Sequence, residues 1–177
     1  EYSVGFGSNK AVDISNDGQI IVVGAMYADD DYNGRYYYGR IAVYEKSGNT
    51  WNTYIHRPYW NSQYGYYGRS VAIDPTGNYI VVGHYAMDYG NTDDGIVEVI
   101  KRNNLNSWSR VQILTMGVSG IANYERYGYF GSSVDVSENA EKIVIGAMYA
   151  DGTSTENWQG RAYVFDKTSS TSWAWDT

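Results

Sequence analysis

Short apolar runs, rich in Val and Ile and cut by Gly, Asn, Asp and Ser, recur along the whole chain. Val12 and Ile14, Val71 and Ile73, and Val134 and Val136 are spaced two apart, each pair sending its side chains to one face. A denser run follows each pair, at 20–23, 79–82 and 142–145. Two-residue spacing resumes at Ile41 and Val43, Val97 and Val99, and Ala162 and Val164, and a fourth segment opens at Trp51, Trp108 and Trp173. Alternation of this kind between turn residues specifies strands, and the denser runs specify strands covered on both faces. Ser15-Asn-Asp-Gly18 and Asp74-Pro-Thr-Gly77 supply the hairpin turns. No segment carries a capped 3.6-residue stripe, so the fold class is all-β.

These segments form one pattern written three times, with Gly24, Gly83 and Gly146 as equivalent anchors 59 and 63 residues apart. A period of this size marks a repeat architecture in which each copy is one supersecondary unit. The units are 1–62, 63–125 and 126–177, together one structural domain. Strands are predicted at 11–15, 20–24, 40–45 and 51–56, then 70–74, 79–83, 96–101 and 108–114, then 133–137, 142–146, 161–166 and 173–176. Four antiparallel strands per copy make a β-propeller-type blade, so the chain is expected to be three such blades, an open arc or part of a larger propeller. The side chains expected between blades are Val12, Ile14, Val22, Val43, Val71, Ile73, Val81, Val99, Val134, Val136, Val144 and Val164.

Phe130-Gly-Ser-Ser-Val, the Ile-Val-Ile-Gly-Ala run after it, and Gly160-Arg-Ala-Tyr-Val-Phe resemble the FG-GAP repeat of integrin α-subunit N-terminal propellers and their bacterial relatives. The other two copies repeat the likeness with departures. Ser8-Asn9 replaces the aromatic and Gly of the motif, Met26 and Met148 replace its proline, and the second copy reads Gly83-His84-Tyr85. The resemblance implies a non-enzymatic, extracellular or cell-surface module with a structural or adhesive role.

Closed propellers use about four to eight blades. Three blades leave apolar faces uncovered at both ends, and the last strand is short in this segment. Completion is therefore expected from neighbouring copies or from further chain, in a ring or a filament, with 1–7 of one unit approaching 173–177 of the next. The net charge of −7 argues against nucleic acid and anionic membranes as partners. No run reaches membrane-spanning length, and there is no Cys for disulfide or thiol chemistry.

Twenty tyrosines are the unusual part of the composition. Alternating strand direction sends loops two and four of every blade to one end, and those loops hold most of them. Tyr27, Tyr36, Tyr37, Tyr38, Tyr64, Tyr66, Tyr85, Tyr89, Tyr127 and Tyr149 form the candidate partner-binding face, suited to a glycan or a protein. Tyr67 and Tyr129, at motif positions, are expected to pack between blades.

Calcium is the one cofactor for which the sequence holds a candidate. Asp29-x-Asp31-x-Asn33-Gly34 matches the start of a calcium loop, but Arg40 stands where the bidentate Glu would sit. The resemblance places calcium between the first and second strands, where this chain has tight turns. Catalysis is not expected. Of the two histidines, His84 occupies a position held by Ala25 and Ala147, and no serine lies in a nucleophile elbow.

Overall fold

A computed structural model describes residues 6–7, 11–28, 37–58, 64–90, 92–116, 127–150 and 158–176. The strands are β1 (Val12–Ile14), β2 (Ile20–Ala25), β3 (Arg40–Ser47), β4 (Thr50–His56), β5 (Ser70–Ile73), β6 (Tyr79–His84), β7 (Ile96–Asn104), β8 (Ser107–Leu114), β9 (Phe130–Val136), β10 (Lys142–Ala147), β11 (Arg161–Ser169) and β12 (Ser172–Trp175). They pair as three antiparallel four-stranded sheets, β1–β4, β5–β8 and β9–β12, each in sequence order. Among the described residues the only helical turn is the 3-10 turn Glu138–Ala140.

Hairpin turns set the first two strands of each blade. Gly18 and Gly77 take the left-handed backbone in the first two, and Ala140 takes it in the third. Each of these residues donates its amide to the carbonyl three residues back, at Ser15, Asp74 and Ser137. In blade 2 the buried Asp74 carboxylate also accepts the amides of Thr76, Asn78 and Tyr79, which locks the turn.

The inner strands β1, β5 and β9 lie side by side, and the blades pack face to face through two cores. One joins blades 1 and 2 through Ile20, Val22, Ile41, Val43, Tyr67, Val71, Ile73, Ile80, Val82, Ile100 and Trp108. The other joins blades 2 and 3 through Val81, Val97, Val99, Leu114, Met116, Phe130, Val136, Ile143, Ile145, Tyr163, Phe165 and Trp173. Every residue of β5 and β6 is buried, whereas burial alternates along β2 and β10. Among the described residues, only the middle blade is covered on both faces.

This corrects the expected core. Val22, Val43, Val71, Ile73, Val81, Val99 and Val136 are buried, but Val12, Ile14 and Val144 are 51%, 53% and 41% exposed. Register explains the difference. Val12 and Ile14 pair with Val23 and Ile21 on the face of blade 1 that points away from blade 2. Val144 pairs with Val164, itself only half-buried, on the outward face of blade 3. Val134 points to blade 2 and is partly buried.

The same register exposes a contact specific to this repeat. A Cβ on Gly24 would lie 1.9 Å from the Gly68 carbonyl oxygen of blade 2, and one on Gly83 would lie 2.1 Å from the Gly131 oxygen of blade 3. Glycine at these two positions lets the neighbouring backbones touch. The third equivalent, Gly146, has no such neighbour among the described residues. Of these, a Cβ there would meet the Ser132 and Ser133 side chains of its own blade.

Candidate functional face

The described residues of the β2–β3, β4–β5, β6–β7, β8–β9 and β10–β11 connections meet at one end, and their aromatic rings form a continuous run. From the blade 3 side it passes from Trp158 to Tyr149, Tyr129, Tyr85 and Tyr66, with centroid separations of 5.2, 5.5, 5.3 and 5.6 Å. Tyr66 then meets Tyr27 at 5.9 Å and stacks on Tyr37 at 5.8 Å, and Tyr37 leads on to Tyr64 at 5.6 Å. Most pairs are edge-to-face or tilted, the arrangements the ring quadrupole favours. The Arg69 guanidinium lies 4.6 Å from the Tyr85 ring centroid, a cation–π contact at the middle of the run.

A repeated backbone device aims these rings outward. Tyr37, Tyr66, Asp93, Tyr129 and Trp158 each stand two residues before a glycine, and each has φ between 52° and 67°. Tyr64 and Tyr127, two residues earlier still, have φ of 63° and 61°. Left-handed backbone is uncommon for bulky side chains and costs about 1–2 kcal/mol per residue. Strain of this sort clusters where a side chain must be presented in one direction.

Three of the hydroxyls, those of Tyr66, Tyr85 and Tyr129, are held above the ordinary phenol value. Burial raises Tyr66, with Tyr27 and Tyr37 adding to it. Burial also raises Tyr85 against the pull of Arg69, and raises Tyr129 with help from Asp93. Asp93 is itself raised, by burial first and then by Asp88. The face thus presents phenol hydroxyls that donate and accept hydrogen bonds, with the Asp88 and Asp93 carboxylates along one side. Asp88, Tyr89, Gly90 and Thr92 line an open hollow of about 330 Å³ there.

Of the sequence candidates, Tyr27, Tyr37, Tyr64, Tyr66, Tyr85 and Tyr149 join the run, and Tyr89 is exposed beside it. Tyr127 is half-buried, its amide donating to the Thr92 carbonyl. Tyr38 leaves the surface set, because it is buried with its hydroxyl donating to the Pro58 carbonyl. Tyr67 packs between blades as expected, fully buried, but Tyr129 stands in the aromatic run. The sequence reading missed Trp158 and Arg69. Aligning Trp158 before Gly160 with Tyr37 before Gly39 would have found the first.

Tyr36 and the calcium candidates Asp29, Asp31 and Asn33 lie outside the described residues. Among the described residues no group of three or more acidic or histidine side chains is arranged to hold a metal ion, and no helix is long and apolar enough to cross a membrane.

Comparison with known proteins places this geometry. A family model for the FG-GAP repeat matches residues 122–165, the segment that leads into and builds most of blade 3. No curated protein matches the sequence. Among solved structures, the hypothetical selenium-binding protein of Sulfolobus tokodaii superposes with a TM-score of 0.56 at 8% identity, over 93% of this chain and 39% of its own. The periplasmic gluconolactonase of Pseudomonas aeruginosa superposes with a TM-score of 0.51 at 15% identity, over 88% of this chain and 38% of its own. At such identities the likeness shows the fold alone. The chain spans under two fifths of the length of either structure.

Proposed function

We propose that this chain is a non-enzymatic structural module of an extracellular or cell-surface protein, in which further blades complete both ends of the three-blade arc. The blades come from a neighbouring copy or from further chain. The observation that carries this reading is Gly146. Its equivalents Gly24 and Gly83 are pressed against the next blade's backbone, while Gly146 keeps the same small residue on an open face. The exposed Val12, Ile14 and Val144 add apolar surface to the two outward faces, whose burial is worth about 25 cal/mol per Å². Two copies joined end to end hold six blades, within the range of about four to eight that closes. A contact that does not close gives a filament.

Sedimentation of the 177-residue chain tests this. Association is expected, and Val144→Arg, which places a charge on the outward face of blade 3, should shift the population toward monomer. A monodisperse, cooperatively folding monomer, unaffected by Val144→Arg, would overturn the reading.

The aromatic run favours a second role on the same module, adhesion to a glycan or a protein through the tyrosine end. A ligand that quenches tyrosine and tryptophan fluorescence in the native chain, but not in a Tyr66→Ala, Tyr85→Ala variant, is the expected result. Equal quenching in both proteins would remove this role.

A further inference from the structure

The seam between blades 1 and 2 holds a polar cluster that the repeat does not call for. Glu98 stands on β7 where register puts Ala42 in blade 1 and Tyr163 in blade 3. His84 stands where they have Ala25 and Ala147, and His56 stands where blade 2 has Leu114. Both histidines of the chain fall in this seam against the Tyr67 ring, with centroid separations of 6.0 and 5.5 Å. Departures from an otherwise consistent pattern concentrate at functional sites.

Glu98 is fully buried, and groups from both blades converge on it. The Tyr67 hydroxyl donates to Oε2 at 3.0 Å, His56 Nε2 lies 3.3 Å from the same oxygen, and Arg110 Nη1 donates to Oε1 at 3.3 Å. Burial alone would raise its pKa, but His56, Arg110 and Tyr67 together hold it below the usual value. Glu98 is therefore ionised at neutral pH and orients the Arg110 guanidinium and the His56 ring from behind. His56, Arg57, Pro58 and Arg110 line a cavity of about 430 Å³ above it. Among the described residues one carboxylate there stands against two guanidiniums, so this lining is locally positive in a chain of net charge −7. Its volume lies within the range of small-molecule sites, about 300–1,000 Å³.

We propose that this cavity binds a small oxyanion-bearing ligand, a carboxylate or sulfate group such as an acidic sugar carries, held by Arg57 and Arg110 beside His56. The planar guanidinium fork matches the two oxygens of such a group. Glu98 is a positioning residue that fixes the Arg110 and His56 side chains at the cavity floor. Pro58 gives the wall an apolar part for the body of the ligand. Its described lining comes from blades 1 and 2, the two blades already packed together.

The test uses the full chain labelled with ¹³C-histidine, whose two ring signals are assigned with His84→Ala. Sodium glucuronate and sodium sulfate are titrated separately, against glucose and against sodium chloride at matched ionic strength. A saturable shift of the His56 signal in the millimolar range is expected from at least one of the two oxyanions, with neither control reproducing it. Which of them saturates decides between carboxylate and sulfate. Arg57→Ala, at an exposed position, should weaken the binding about tenfold and leave the unfolding midpoint unchanged. The site is refuted by an equal shift with chloride, by no saturable shift with either oxyanion, or by undiminished binding in Arg57→Ala.

Discussion

The seam between blades 1 and 2 and the seam between blades 2 and 3 share a backbone contact and differ in almost everything else. Each closes on a glycine pair, Gly24 with Gly68 and Gly83 with Gly131. The first seam is stitched by charge. Buried Glu45 accepts from Arg102 Nη2 at 3.0 Å, from the Asn106 amide at 2.8 Å and from the Trp108 indole, and Asp13 Oδ2 accepts the Ile73 amide at 2.8 Å. The second is mainly aromatic, with the Lys167 ammonium 4.5 Å from the Tyr79 ring centroid and the Asp74 carboxylate accepting the Asn139 amide at 3.1 Å. Tyr79 packs edge-on against Trp173 at 5.5 Å, and Gln112 makes paired bonds to the backbone of Trp173 at 2.9 and 2.6 Å. The repeat thus prescribes the spacing of blades and leaves the chemistry between them free to vary.

The largest effect is expected in the aromatic seam. Phe130 is completely buried, and Phe130→Ala removes its burial and leaves a cavity, at a cost of about 3–5 kcal/mol. Chemical denaturation at constant protein concentration measures it, and the loss should not depend on salt. Gly83→Ala follows. Its new methyl would collide with a backbone carbonyl that cannot step aside, at a cost of about 3 kcal/mol. Gly146→Ala meets only serine side chains and should cost under about 1 kcal/mol in the unassembled chain. Equal losses at Gly83 and Gly146 would mean that the two outward faces are already covered.

In the charged seam, Glu45→Gln keeps the shape but sets an amide against donors that expect a carboxylate. Arg102 is part-exposed and recovers some solvation, so about 2 kcal/mol is expected rather than the larger cost of breaking a fully buried pair. Raising salt should narrow the gap between Glu45→Gln and the parent, and a gap indifferent to salt would count against the electrostatic account.

Much of the fold was legible in the chain, because β-branched runs, hairpin turns and a tripled pattern are local signals. Ile20 to Val23 reads as a strand whatever surrounds it. The outward faces were not legible, since Val12 and Val71 occupy the same place in the repeat and only the presence of a neighbour separates them. The charged seam was hidden for a related reason. Glu45 meets Trp108 across 63 residues and Glu98 meets His56 across 42, distances over which no local pattern speaks. The tyrosine end was visible as composition, but its order as a run of rings depends on left-handed residues whose conformation the sequence does not announce.

An effect that vanishes at neutral pH and emerges only toward acid concerns His84. Its ring is fully buried in the first seam, edge-on to Tyr67, and neither ring nitrogen finds a hydrogen-bond partner among the described residues. Burial lowers its pKa to about 4 from an ordinary 6.5, although Glu98 pulls the other way. Above pH 6.5 the imidazole is neutral in both folded and unfolded chains and contributes no pH dependence. Below 6.5 the unfolded chain takes up a proton that the folded chain refuses, so stability falls with pH until about 4 and then levels off. By pH 5 the loss should reach about 2 kcal/mol. Glu98, whose carboxyl is held low, sheds its contribution only beneath the ordinary carboxylate range, so the interval from 6.5 to about 4.5 belongs to His84. His84→Ala installs the residue that blades 1 and 3 already carry. Urea midpoints measured across this interval should slope downward toward acid in the parent and run nearly flat in the variant. Parallel slopes would show that the imidazole is solvated and that the first seam is looser than its burial indicates.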